Sequence, residues 1–273
     1  MLLRVAFLAS LLAAPLPVVA TCAHGTSLHP RSVEAPTFGY GTIDGPINWH
    51  GLTPENKLCA IGENQSPIDI HDSVTIAPVG TVAMEIPVQD VHFENLGTTV
   101  EAFADNGTTV INGEPYDWSQ MHFHTPSEHR LMNEHFPVEA HLVHESQNQP
   151  GRLAVIAVFL QLNETAPIDG SHNVLAEVSR IPNLGDSIEI PDMDLSALAN
   201  LVSSSEFYTY SGSLTTPPCA EGVDWYISGT TIPLHLQLYN DLKAVVGTNN
   251  RHIQSPGCGE NIIKVAARNL VPK

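Results

Sequence analysis

His122 and His124 stand two residues apart in the run Gln120–His129, which reads QMHFHTPSEH. Side chains on an extended strand alternate between faces, so residues i and i+2 point the same way. Both imidazoles then project to one side, spaced as two ligands of one metal ion would be. Seventeen residues beyond His124, the run VEAHLVHES puts Glu139, His141 and Val143 on one face of a second β-rich segment. If the two strands are neighbours, His141 adds a third nitrogen. Three histidines without a fourth protein ligand make the pattern of a catalytic zinc, whose open position belongs to water. The chain holds 14 histidines, so an HxH pair alone decides little. The surrounding residues decide more. Gln120 shares the face of His122 and His124, and Glu139 shares that of His141. A metal-bound imidazole usually gives its other N–H to such an oxygen.

The elements that must position these residues read mostly as strands. Apolar alternation runs through VHFEN, TTVEAF and TTVING, with Gly and Asn between them as in hairpins. Helical signals are fewer and come later. SHNVLAEVSR begins with Ser171 as a candidate N-cap. DLSALANLVS is a second candidate, and PLHLQLYNDLKAVVG a third, with Pro233 near its first turn and Gly247 just past its end.

Residues 1–20 carry one basic residue, then an apolar run ending in small residues, and read as a secretory signal peptide. Pro15 and Pro17 argue against a membrane span, which needs about twenty mainly apolar residues. Cleavage after Ala20 is the first choice and after Ala23 the second. A lipoprotein anchor on Cys22 is disfavoured by Thr21 before it. Residues 21–37 read as an extended arm, and 38–273 as one domain without repeats or low-complexity tracts. The other stretches are too short or too polar to span a bilayer, and the C-terminus lacks a hydrophobic tail for a lipid anchor. With 29 acidic against 11 basic residues the net charge is −18. Such a chain repels nucleic acid and anionic membranes. The expectation is an exported, extracellular protein.

From Phe38 onward the chain resembles the α-class carbonic anhydrases. The matching segments are FGYG at 38–41, GPINWHGL at 45–52, QSPIDI at 65–70 and QMHFHTPSEH. EAHLVH at 139–144, LAVIAVFL at 153–160, YSGSLTTPPC at 210–219 and NNRHIQ at 249–254 complete them. QSPI, HFH with SEH, and SLTTPP in that order are the specific part. The resemblance implies a mainly β, single-domain fold with short α-helices around a large, twisted, mostly antiparallel central sheet. It also implies zinc-dependent, reversible hydration of carbon dioxide to bicarbonate and a proton.

On that resemblance His122, His124 and His141 hold Zn2+. Zinc acidifies its bound water to a pKa near 7, a value for which carbonic anhydrase itself is the standard example. Thr215 matches a gatekeeper threonine that accepts from zinc-bound hydroxide and donates to a carboxylate, here Glu128. Thr216 matches a residue in contact with bicarbonate. Val143, Val155, Leu214 and Trp225 match an apolar wall for carbon dioxide. Asn249 matches a residue whose backbone carbonyl orients His124. His129, near Tyr210, and His144 are read as structural. Secreted relatives bridge the positions of Cys59 and Cys219, which implies that disulfide. Cys22 and Cys258 are left to pair with each other or, if cleavage removes Cys22, to let Cys258 link two chains. A monomer and a homodimer both stay open. Asn106 and Asn163 head Asn-x-Thr sequons in polar turns and are expected glycan acceptors, while Asn64 is expected bare.

One position departs from the pattern. Fast relatives carry a proton-ferrying histidine where this chain has Thr98, and threonine does not titrate near neutral pH. Slower or buffer-dependent proton release is the expectation, with His135 or a histidine of the arm as substitute. Two rival functions stay open: a non-catalytic binding protein on the same fold, and a zinc hydrolase such as an esterase. A zinc peptidase is disfavoured because HExxH is missing.

Overall fold

The computed structural model describes residues 35–71, 73–167, 173–255 and 259–270. The signal-peptide reading, most of the arm, and Cys22 and Cys258 lie outside the described residues.

A 12-stranded sheet dominates the described residues. Nine strands make its main path: β1 (Thr75–Ala77), β2 (Gln89–Asn95), β3 (Val100–Phe103), β4 (Glu114–His124), β5 (Val138–Ser146), β6 (Leu153–Leu162), β7 (Ser187–Met193), β8 (Phe207–Ser213) and β9 (Glu221–Ser228). Their order across the sheet is β7-β2-β3-β4-β5-β6-β9-β8-β1. Most neighbours are antiparallel. The exceptions on β6 are parallel pairings with β9 and with Ile232–Leu234. β6 is the LAVIAVFL run. A continuous apolar run suits a strand covered on both faces, and residues 154–160 of β6 are buried throughout.

The hairpin into β4 comes from Asn112-Gly113, which link Ile111 to its partner Glu114. Their φ values of 52° and 81° are those of a tight primed turn, for which Asn-Gly is the preferred pair. TTVEAF enters the sheet only from Val100, because Leu96–Thr99 close a turn with Leu96 N–H donating to Thr99 O at 2.9 Å.

One face of the sheet packs Phe93, Val100, Phe123, Leu142 and Ile156 against Leu175 and Leu242. Each fully buried side chain of this size contributes about 1.5–3 kcal/mol. The opposite face carries the histidines and a second apolar cluster around Val143, Val155, Leu214 and Trp225.

The helices partly follow the sequence reading. DLSALANLVS forms α1 (Ser196–Ser204). α2 spans Leu236–Val246 and ends at Gly247, whose φ of 72° favours glycine. Pro233 does not open that helix. It sits in the Ile232–Leu234 strand beside the end of β6, where a residue without an N–H is tolerated. His235 caps α2 instead, its Nδ1 accepting from Gln237 N–H at 3.0 Å. SHNVLAEVSR yields a 3-10 turn over Val174–Arg180, capped by Asn173, whose Oδ1 accepts from Leu175 N–H at 3.1 Å. Ser171 lies outside the described residues.

Cys59 and Cys219 form a disulfide across 160 residues of chain. It packs with Phe38 and Trp49, so the FGYG and WHGL segments close over the bridge. QSPI docks on β8. Ser66 Oγ accepts from Ser213 N–H at 3.0 Å. Gly212 permits this approach, since a Cβ there would stand 2.2 Å from Ser66 Oγ.

Candidate active site

β4 and β5 are antiparallel neighbours, and their register sets His122 opposite His141 and His124 opposite Glu139. The three imidazoles converge, with ring centroids 4.5–5.1 Å apart. One nitrogen from each lies within 4.8 Å of the others. His122 Nε2, His124 Nε2 and His141 Nδ1 are all buried and unpartnered.

The other nitrogen of each ring is held. His122 Nδ1 lies 2.8 Å from Gln120 Oε1, His124 Nδ1 lies 2.8 Å from Asn249 O, and His141 Nε2 lies 2.7 Å from Glu139 Oε1. These acceptors require the proton on that nitrogen and leave a lone pair on the converging one. Burial, then the neighbouring His124 and His141, push the His122 imidazole well below its ordinary value. Burial also lowers His124, against the opposing pull of Glu128. Neutral rings are the form a metal ion binds.

A second triplet, His129, Glu139 and His141, is equally close. Its atoms are already spent on one another. Glu139 Oε1 takes His129 Nδ1 at 2.6 Å and His141 Nε2 at 2.7 Å, while Oε2 accepts the N–H groups of Glu128 and His129 at 2.8 Å each. This is a hydrogen-bonded knot behind the histidine triplet.

Around the triplet, Val143 on β5 pairs with Val155 on β6, which pairs with Trp225 on β9. Leu214 is wholly buried beside them. Thr215 and Thr216 follow it, both buried. Thr215 Oγ1 and Glu128 Oε2 are each buried without a hydrogen-bond partner. The Thr215-to-Glu128 hydrogen bond expected from the sequence is not formed here. Glu128 Oε1 accepts from Arg251 N–H at 2.8 Å, and its free Oε2 lies 3.6 Å from His124 Nε2. Thr98 is buried and its carbonyl accepts from Asn249 Nδ2 at 3.0 Å.

A sequence profile of the eukaryotic-type carbonic anhydrases matches residues 44–269. The chain belongs to the α-carbonic anhydrase family. The carbonic anhydrase of Neisseria gonorrhoeae is 33% identical over 236 residues, 85% of this chain and 86% of that protein. The α-carbonic anhydrase structure from Aspergillus oryzae is 37% identical with a TM-score of 0.79, covering 85% of this chain and 99% of that one. A dioscorin structure, described as complexed with ascorbate, is 30% identical with a TM-score of 0.71, covering 80% of this chain and 93% of its own. As a carbonic anhydrase the chain is assigned to reversible hydration of carbon dioxide, and its histidine triplet can hold the metal on which that family depends.

Two residues escaped the sequence reading. Arg251, in NNRHIQ, is buried and ties its own segment to two others: it donates to Ser66 O at 2.8 Å and Gln65 Oε1 at 2.9 Å in QSPI, and to Cys59 O at 3.3 Å. Burial lowers its guanidinium to about 10. Glu101 on β3 is buried with both carboxyl oxygens unpartnered. A carboxylate between Val100 and Ala102 in an apolar strand was the available signal.

Proposed function

We propose that His122, His124 and His141 hold a zinc ion and that the chain is an active, exported carbonic anhydrase. The carrying observation is the set of three buried, unpartnered ring nitrogens, each on an imidazole whose other nitrogen meets a fixed oxygen. Three neutral imidazoles without a thiolate suit zinc in its catalytic form. Zinc would supply Lewis acidity that makes water a nucleophile near neutral pH.

The chain's own residues orient and select. Glu128 reaches the site with one oxygen anchored by Arg251 and the other free. In our reading that free oxygen commits the Thr215 proton, so that the threonine oxygen can only accept from the attacking water. Val143, Val155, Leu214 and Trp225 offer an apolar surface to carbon dioxide, which has no net dipole to pair. Thr216 contacts the bicarbonate product. Activated esters can meet the same nucleophile, so weak esterase activity accompanies the main one.

The Cys59–Cys219 disulfide supports an oxidising compartment, in line with a signal peptide at residues 1–20. Asn106 and Asn163 are exposed and are our candidates for glycosylation.

The test is stopped-flow carbon dioxide hydration on the mature protein, with zinc measured on the same sample. One zinc per chain and hydration abolished in His122→Ala supports the enzyme. Zinc without hydration turns the reading towards a binding protein, of which dioscorin with ascorbate is a relative on this fold.

A further inference from the structure

The register that sets His141 opposite His122 continues outward across the sheet. His122 on β4 stands opposite Glu101 on β3, and Glu101 stands opposite Glu94 on β2. Residues opposite one another share a face, and so do residues two apart on one strand. His92 therefore joins Glu94, Glu101 and His122 on the side of the sheet that carries the site. His92 Nε2 lies 3.6 Å from Glu94 Oε2, and His92 Nδ1 lies 2.6 Å from Glu189 Oε1 on β7. Exposure rises along this line. Glu101 is at 0%, and the side chains of Glu94, His92 and Glu189 are at 10%, 19% and 66%.

Glu101 is the anomalous member. Buried polar groups are nearly always hydrogen-bonded, and an orphan needs a reason. Both of its oxygens are orphans, and a packed apolar residue would avoid the desolvation cost. It is a buried polar group directly across the ladder from His122.

The reaction creates a need for such a line. Adding water to carbon dioxide forms one C–O bond, breaks one O–H bond and leaves one proton to be passed to a base in the medium. Thr98 cannot take it. His135 has no ring lone pair free to take it: Nε2 accepts from Arg130 Nε at 2.9 Å, and Nδ1 lies 2.8 Å from Ser127 O.

We propose that His92 is the residue through which this enzyme discharges its proton to solvent, with Glu101 and Glu94 as the polar steps leading to it. The proposal rests on the carbonic anhydrase reading above. The groups facing His92 are Glu94 and Asp90 on its own strand, Glu189 on β7, and the Phe103 ring on β3, 4.7 Å away between centroids. Asp90 is already occupied by Asp192 N–H at 3.1 Å. Glu94 and Glu189 are the carboxylates that meet the ring nitrogens.

The experiment compares zinc-loaded parent, His92→Ala and His92→Phe by stopped flow, in dilute bulky buffer and at rising imidazole. The phenylalanine variant keeps the contact with Phe103. Both variants should lose kcat about a hundredfold in dilute buffer, the low side of what a positioned proton acceptor contributes. Their kcat/KM should not change, and imidazole should restore kcat. Ring 15N resonances of His92 in the parent should follow the same pH curve as kcat. Unchanged kcat in both variants, a parallel loss of kcat/KM, or His92 resonances that ignore pH would overturn the proposal while the parent stays active. A zinc-bound but inactive parent would overturn the enzyme reading itself, and this proposal with it.

Discussion

Glu139 has two oxygens and four hydrogen-bond donors, two imidazoles and two backbone N–H groups. Burial alone would push its carboxyl up. The imidazoles of His129 and His141 outweigh that and hold it well below the ordinary range. It stays an anion, and a fixed anion keeps the proton of His141 on Nε2. Thr215 has the opposite character, a buried hydroxyl with nothing yet to bond. If it orients the attacking water by accepting its hydrogen bond, Thr215→Val should lower kcat/KM by about 10²-fold, the size of loss seen when one preorganised hydrogen-bonding group is removed from a reacting centre. Zinc content measured on the same sample should be unchanged.

His144 shows how burial alone shapes pH response. Its ring is pushed down to about 4 from 6.5, chiefly by burial, although the carbonyls of Leu142 and Ala154 oppose the shift. Below about pH 6.5 the unfolded chain takes up a proton that the folded ring refuses. The stability it supports is therefore complete above pH 6.5 and is lost as pH falls through 4. Urea midpoints should drop over that window in the parent and drop less steeply in His144→Gln.

At the level of elements, the site is a junction of one hairpin and one tethered loop. β4 and β5 supply the histidines from a rigid ladder, which suits a site needing sub-ångström placement. Leu214, Thr215 and Thr216 lie just beyond β8, and the disulfide ties the end of their loop, Cys219, to Cys59. Gln65 reinforces the tie, its Nε2 donating to Cys219 O at 3.0 Å. A cross-link over so long a loop stabilises mainly by restricting the unfolded chain. The double variant Cys59→Ser with Cys219→Ser should lose about 2–5 kcal/mol in urea unfolding. Its kcat should fall as the threonine loop loosens, while zinc remains on the β4–β5 ladder.

At the level of the whole molecule, the sheet separates two tasks. One face buries a large apolar core against the helices. The other face spends its burial on polar groups that fold poorly without a ligand, the three unpartnered ring nitrogens above all. Zinc should therefore stabilise the fold by mass action. At a thousandfold excess over Kd that amounts to about 4 kcal/mol. Chelation should lower the melting temperature by roughly 10 °C, and His122→Ala should melt at one temperature with or without the chelator. With 29 acidic against 11 basic residues, the buried Glu128 and Glu139 take their hydrogen bonds from imidazoles and backbone N–H groups, that of Arg251 among them.

Much of the site was legible in the chain itself, and for a local reason. Strand side chains alternate with a period of two, so HFH and EAHLV declare which residues share a face wherever the strands lie. The Asn112-Gly113 turn and the apolar run of β6 are equally local. Pairing between distant strands is not local. It depends on which register buries each apolar face, a sum over the whole core. Only the tertiary structure could therefore set Glu101 beside His122, bring His92 between Glu94 and Glu189, and seat Arg251 under Ser66. The fate of Pro233 was decided the same way. Its fixed φ suits a first helical turn and a strand edge alike, and pairing with the end of β6 chose between them.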